Sequence, residues 1–170
     1  MYIRYFKLFL LCTLLYLLQG NTVFAQEYIS LEWAEHPQDI SDRLYYLEED
    51  GNSTISDVKD FPIGKWQQPS TGETLNKGYT AKTFWLKIPL ERRDISSTDW
   101  IVHIEYHLLD SIQVFIPSKS GEYRQLFSGR SVPFYTNNPF KHTNFAYPLG
   151  SDIPDERFSV YIRVNSKGPV

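Results

Sequence analysis

His103, Glu105 and His107 alternate along one short stretch, and two imidazoles with a carboxylate are groups that can hold a divalent metal ion. On an extended strand the three share a face, but alternate residues stand roughly 7 Å apart along the backbone, so closing on one ion needs a third element. Histidines and charges on an exposed strand face are the ordinary use of such a pattern, and no metal is expected. A second group mixes rings with hydrogen-bonding side chains: Trp85 and Lys87, then Tyr161 and Arg163. On one sheet face the rings could stack on the apolar side of a sugar while the polar groups hold its hydroxyls. The competing reading is a solvated or partner-covered face with snorkelling side chains. A third group lies in two loop-like stretches, 66–79 and 129–142, which carry Trp66, Tyr79, Arg130, Tyr135, Lys141 and His142. Loops on a rigid scaffold commonly bind, and Arg130, Lys141 and His142 suit an anionic or polyhydroxylated small molecule; otherwise these residues pack as a lid.

Catalysis has little support. The chain has no Gly-x-Ser-x-Gly elbow, no His-Glu-x-x-His and no phosphate-cradling glycine loop. Adjacent carboxylates such as Glu48 with Glu49, or Asp155 with Glu156, diverge on a strand rather than face each other across a bond. No catalytic residue and no cofactor are expected.

The start of the chain is a targeting segment. Arg4 and Lys7 precede an apolar run from Leu8 to Leu18, too short to span a bilayer comfortably, and Val23-Phe24-Ala25 supplies small residues for cleavage before Gln26. The expected division is a signal peptide over 1–25, an N-terminal arm or first strand over 26–43, and one sensor domain over 44–170. That length buries roughly two thirds of its unfolded surface. The single cysteine, Cys12, falls inside the leader, so the exported part has no disulfide, thiolate site or thiol nucleophile. Arg4 and Lys7 also account for two of the 17 Lys and Arg, which leaves 15 against 20 Asp and Glu. That acidic balance disfavours nucleic acid.

The elements follow from periodicity. Apolar residues alternate at Phe84, Leu86 and Ile88, at Val102, Ile104, Tyr106 and Leu108, at Ile112, Val114 and Ile116, and at Phe158, Val160, Ile162 and Val164. Each run reads as a half-buried strand. Leu44–Glu48 reads as a strand running into a glycine turn at Glu49–Asn52. Ser56 to Lys59 reads as one helical turn capped by Ser56, Pro117 to Gly121 as a hairpin turn leading to Tyr123–Phe127, and Thr143–Leu149 as a further strand. Aromatics at 16% suit pleated surfaces. Short strands without a long amphipathic helix indicate an all-β protein, an antiparallel β-sandwich or jelly roll of galactose-binding-like type. The chain halts directly after a strong strand, at Lys167-Gly168-Pro169-Val170, which suggests a truncated sandwich missing its last strand.

The ordered motifs are Leu44-Tyr45-Tyr46-Leu47-Glu48-Glu49-Asp50, Thr83-Phe84-Trp85-Leu86-Lys87, Trp100 to Phe115 with Leu109-Asp110, Gly129 with Pro133-Phe134, Phe145 to Leu149, and Val160-Tyr161-Ile162-Arg163-Val164 followed by Ser166 and Gly168. Together they resemble the extracellular type 2 domain of bacterial seven-transmembrane receptors with diverse intracellular signalling modules. In that family an arginine commonly follows the aromatic-Trp-Leu element and another precedes the proline of the second loop. Here Lys87 and Asn138 stand in those places; the lysine keeps charge without a bidentate fork, and the asparagine carries none. The resemblance implies an exported sensor on the periplasmic or cell-surface side of the inner membrane, with a small-molecule or carbohydrate ligand. It also implies a seven-transmembrane segment and a cytoplasmic signalling module, both lying outside these 170 residues. The rivals are a free secreted carbohydrate-binding module and a glycosidase-like hydrolase, the latter requiring two carboxylates across a cleft.

Overall fold

The computed structural model describes residues 26–32, 36–93, 99–131 and 145–166. Their strands are β1 (Ile29–Leu31), β2 (Tyr45–Glu49), β3 (Thr83–Arg92), β4 (Ile101–Ile104), β5 (Ser111–Pro117), β6 (Tyr123–Ser128), β7 (Phe145–Pro148) and β8 (Arg157–Asn165). One helical turn, α1 (Ile55–Val58), and a 3-10 turn, Ile63–Lys65, lie between β2 and β3. The expected signal peptide, and Tyr135, Lys141 and His142 of the second loop, lie outside the described residues. No described helix is long and apolar enough to cross a membrane.

The main sheet runs β3–β8–β5–β6, all antiparallel, with β2 and β1 sharing the far edge of β3. β2 pairs antiparallel with residues 83–87 of β3, and β1 pairs parallel with residues 90–92. β4 and β7 form a two-stranded second layer, from Ile101 opposite Pro148 to Ile104 opposite Phe145. Alternation decides the core. Phe84, Ile88, Leu90, Ile112, Val114, Ile116, Val160, Ile162 and Val164 meet Tyr147 and Leu149 from the second layer, with Leu86, Val102 and Ile104 packed partly buried against them. Phe84, Ile112, Val114 and Val160 lose all exposure, and each such side chain contributes roughly 1.5–3 kcal/mol by leaving water. The protein is an all-β sandwich, as the two-residue period requires.

Four local expectations need correction. β4 stops at Ile104, and Tyr106 and Leu108 are exposed. The chain turns at His107–Leu108 to bring Leu109 inside before β5 begins, so the apparent alternation there is that of a turn. The helical turn is capped by Thr54, not Ser56: the Asp57 carboxylate reaches back to accept from the Thr54 backbone N–H at 2.8 Å and from its hydroxyl at 2.7 Å, as the third helical residue does in a capping box. Trp66 opens the first loop but is buried rather than offered to a ligand, locked beside the Gln67–Tyr46 bridge whose backbone bonds are 2.8 and 2.9 Å. Finally, the last strand does not stand at the rim of the sheet: β8 pairs with β3 along its whole length and with β5 from Tyr161 to Asn165.

Candidate functional site

The sheet face turned away from β4 and β7 carries the odd-numbered residues of β3, β5 and β8. Registers place them in rows across the sheet. One row is Tyr45, Lys87, Tyr161, Phe115 and Gln125; its neighbour is Leu47, Trp85, Arg163, Gln113 and Phe127. The sequence led us to expect an open face here. Most of it is instead a second core: Val58 and Trp66, with Ile55, Phe61 and Ile63, cover Trp85, Phe115, Tyr161 and Tyr45. The physical reason lies in the segment 54–66, whose apolar residues are too few to form a core alone and find one only on this aromatic surface.

The covered rings make a close set. Trp85 and Phe115 stack at 5.4 Å between centroids, Trp66 and Tyr161 lie at 6.1 Å, and Tyr123 meets Tyr161 edge-on at 6.0 Å. Such pairs each add about 0.5–1.5 kcal/mol beyond area burial. The Trp85 indole N–H donates to Glu49 at 2.8 Å. Lys87 is only 8% exposed; its ammonium donates to Gln26 Oε1 at 2.7 Å and lies 5.7 Å from the Trp66 ring centre. Burial lowers the Lys87 pKa and raises that of Tyr161. In this conformation Trp66, Trp85 and Tyr161 have no free ring face for a ligand to stack on.

The second row has a different far end. Arg163 is half-buried: one terminal nitrogen donates to the Gly51 carbonyl at 2.8 Å, its guanidinium lies 5.9 Å from the Trp85 ring centre, and its Nε is buried without a partner. Beside it on β5 is half-buried Gln113, and beside that on β6 is Phe127, 38% exposed. Two inter-strand steps separate the Arg163 and Phe127 backbones by about 10 Å. A guanidinium, an amide and an accessible ring therefore stand in line. A ring takes an apolar face, and the two polar groups take hydroxyls or a carboxylate.

The last residue of the first loop stretch, Tyr79, and the first residues of the second, 129–131, adjoin this end of the sheet. Thr83, Asn165 and Ser111 align there, and Ser128, opposite Ile112, lies one residue inside that line. Tyr79 precedes this edge and is 82% exposed, while Arg130 follows it, exposed and 4.0 Å from Asp110. Of the ten residues expected at a site, Trp66, Trp85, Lys87, Tyr161 and Arg163 come together on one face, while Tyr79 and Arg130 are exposed in the segments before β3 and after β6. Phe127 and Gln113 complete the open row; the alternation of β5 and β6 already placed both on this face, but only pairing registers set them beside Arg163.

Other regions offer less. A surface cleft of about 440 Å³ at the opposite end is lined by Glu91, Arg92, Arg93, Glu156 and Arg157. Its charges answer one another: Glu91 accepts from Arg157 at 2.8 Å and Arg93 at 3.1 Å, which holds its carboxyl below the usual range. His103, Glu105 and His107 do not form a ligand set, because β4 ends between them, and no group of three metal-binding side chains occurs among the described residues.

The chain defines an all-β sandwich with a polar and aromatic patch at one end of its main sheet. Residues 41–170 match the family described as 7TMR-DISM extracellular 2, and the chain belongs to that family. Its members are extracellular sensor domains of receptors that also have transmembrane and cytoplasmic modules, so this domain sits outside the cytoplasm. No curated protein and no solved structure matches the chain.

Proposed function

We propose that the domain senses a carbohydrate or other small polar molecule at the open row of Arg163, Gln113 and Phe127, and passes the event to a seven-transmembrane segment and cytoplasmic signalling module of the same receptor. The observation that carries this is the Arg163 Nε–H, buried without a partner within the row that ends in an exposed phenyl ring. Buried donors are almost always satisfied, and a ligand oxygen there would satisfy this one. This reading assigns Tyr79 and Arg130, both exposed beside the same end of the sheet, as further contacts. Arg163 also grips the turn after β2 through Gly51, so occupying the guanidinium biases that turn and the adjoining segment 54–66 between two arrangements.

Calorimetric titration with neutral hexoses, N-acetylhexosamines and hexuronic acids tests the reading. One class binds, and Arg163→Ala and Phe127→Ala each weaken it about tenfold or more, equivalent to about 1.4 kcal/mol. If every compound leaves the protein unaffected, or if both variants bind as the parent does, the site is elsewhere.

A further inference from the structure

We propose that Gln26, once it becomes the amino terminus, closes to a pyroglutamyl lactam that is seated against Lys87. The inference takes cleavage before Gln26 from the leader pattern, and its own evidence is the setting of the Gln26 side chain. The two polar atoms of that side chain fare differently. Oε1 accepts from the Lys87 ammonium at 2.7 Å, whereas Nε2 is buried and has no partner. A buried amide nitrogen without an acceptor carries the full cost of its lost hydration.

Cyclisation removes that atom and keeps the other. The neutral α-amine attacks Cδ, a C–N bond forms, the Cδ–Nε2 bond breaks, and Nε2 leaves as ammonia. The product is a neutral five-membered lactam whose carbonyl oxygen is the former Oε1, still an acceptor for Lys87. No oxidant or co-reactant is needed.

Electrostatics run the same way. A free amino terminus sets an ammonium one glutamine side chain away from the Lys87 ammonium, itself only 8% exposed and already disfavoured by desolvation. Two like charges there disfavour each other, which drives the α-ammonium toward its neutral, nucleophilic form. The lactam abolishes the repulsion. The chain on the other side is held in place: the Glu27 N–H reaches the Tyr45 hydroxyl at 3.3 Å, and Ile29–Leu31 pair with β3. The ring is thereby kept against Lys87 rather than released to solvent.

The full chain, expressed with its own leader and recovered after export, gives the test. Intact mass is expected to equal residues 26–170 less one ammonia, with N-terminal sequencing blocked. Pyroglutamyl aminopeptidase should unblock the native protein at least about tenfold more slowly than the unfolded protein, because removal requires local opening. Lys87→Met should lose most of that protection and Lys87→Arg, which retains a donor, should keep it. Gln26→Asn, unable to form a five-membered lactam, should keep a free amine. A mature chain that starts at Gln26 and retains its free amine overturns the proposal, as does a start at any other residue. Equal unblocking rates in the native parent and a folded Lys87→Met variant overturn the seating on Lys87, and a variant that fails to fold leaves the comparison of native with unfolded parent to decide it.

Discussion

Glu49 on β2 accepts the indole N–H of Trp85 on β3 at 2.8 Å, and Trp85 has no exposure to solvent. The pair joins the rim of the sheet to the middle of its second core. Removing the carboxylate leaves a buried donor with nothing to bond, so Glu49→Ala is expected to lower stability by about 1–3 kcal/mol in urea unfolding. Glu49→Gln, which keeps a carbonyl at that position, should cost less.

Lys87 gives a pH signature. Its folded pKa is lowered from 10.5 by burial, so between the lowered value and 10.5 the unfolded chain holds a proton that the native chain does not. Stability therefore rises with pH through that window. Lys87→Met should flatten the rise when denaturation midpoints are compared across the alkaline range.

Tyr147 acts in the opposite sense. Burial pushes its phenol up to about 12 from 10.0, while its hydrogen bond with Ser128 pulls weakly the other way. Unfolded tyrosines ionise at pH 10 while this one stays protonated in the fold. Its contribution is complete below pH 10 and is lost as pH climbs toward 12. Tyr147→Phe should lessen the alkaline loss, measured as the slope of unfolding free energy against pH.

Gly129 closes the junction from β6 back toward the start of β5. Its φ is +120°, and a Cβ there would lie 2.7 Å from the Asp110 carbonyl carbon. Neither the torsion nor the backbone neighbour can give way cheaply. Gly129→Ala is expected to cost about 1–3 kcal/mol, visible in thermal unfolding, and to disturb Arg130, whose backbone N–H bonds the Leu109 carbonyl at 3.0 Å.

Strand content was legible because burial on one side of a pleated strand imposes a two-residue period. Phe84, Ile112, Val160 and their alternates face the core as the pattern requires. The same period misled at Tyr106 and Leu108, since a turn can imitate alternation over four residues. The site was half legible. Periodicity placed Trp85, Lys87, Tyr161 and Arg163 on a common face, but it cannot reveal that a distant segment, 54–66, folds over that face. Nor can it set Phe127 in line with Arg163, because strand order and register arise from long-range pairing.

The open end of the outer face is the claim on which the functional reading depends. Backbone amide shifts of the isotopically labelled protein, followed while the best-binding sugar from the titration panel is added, test it directly. Ligand-induced changes should concentrate at Gln113, Phe127, Arg163 and Gly51 and disappear in Arg163→Ala. Changes confined to the cleft at Glu91 and Arg157, or unaltered by that substitution, would contradict it.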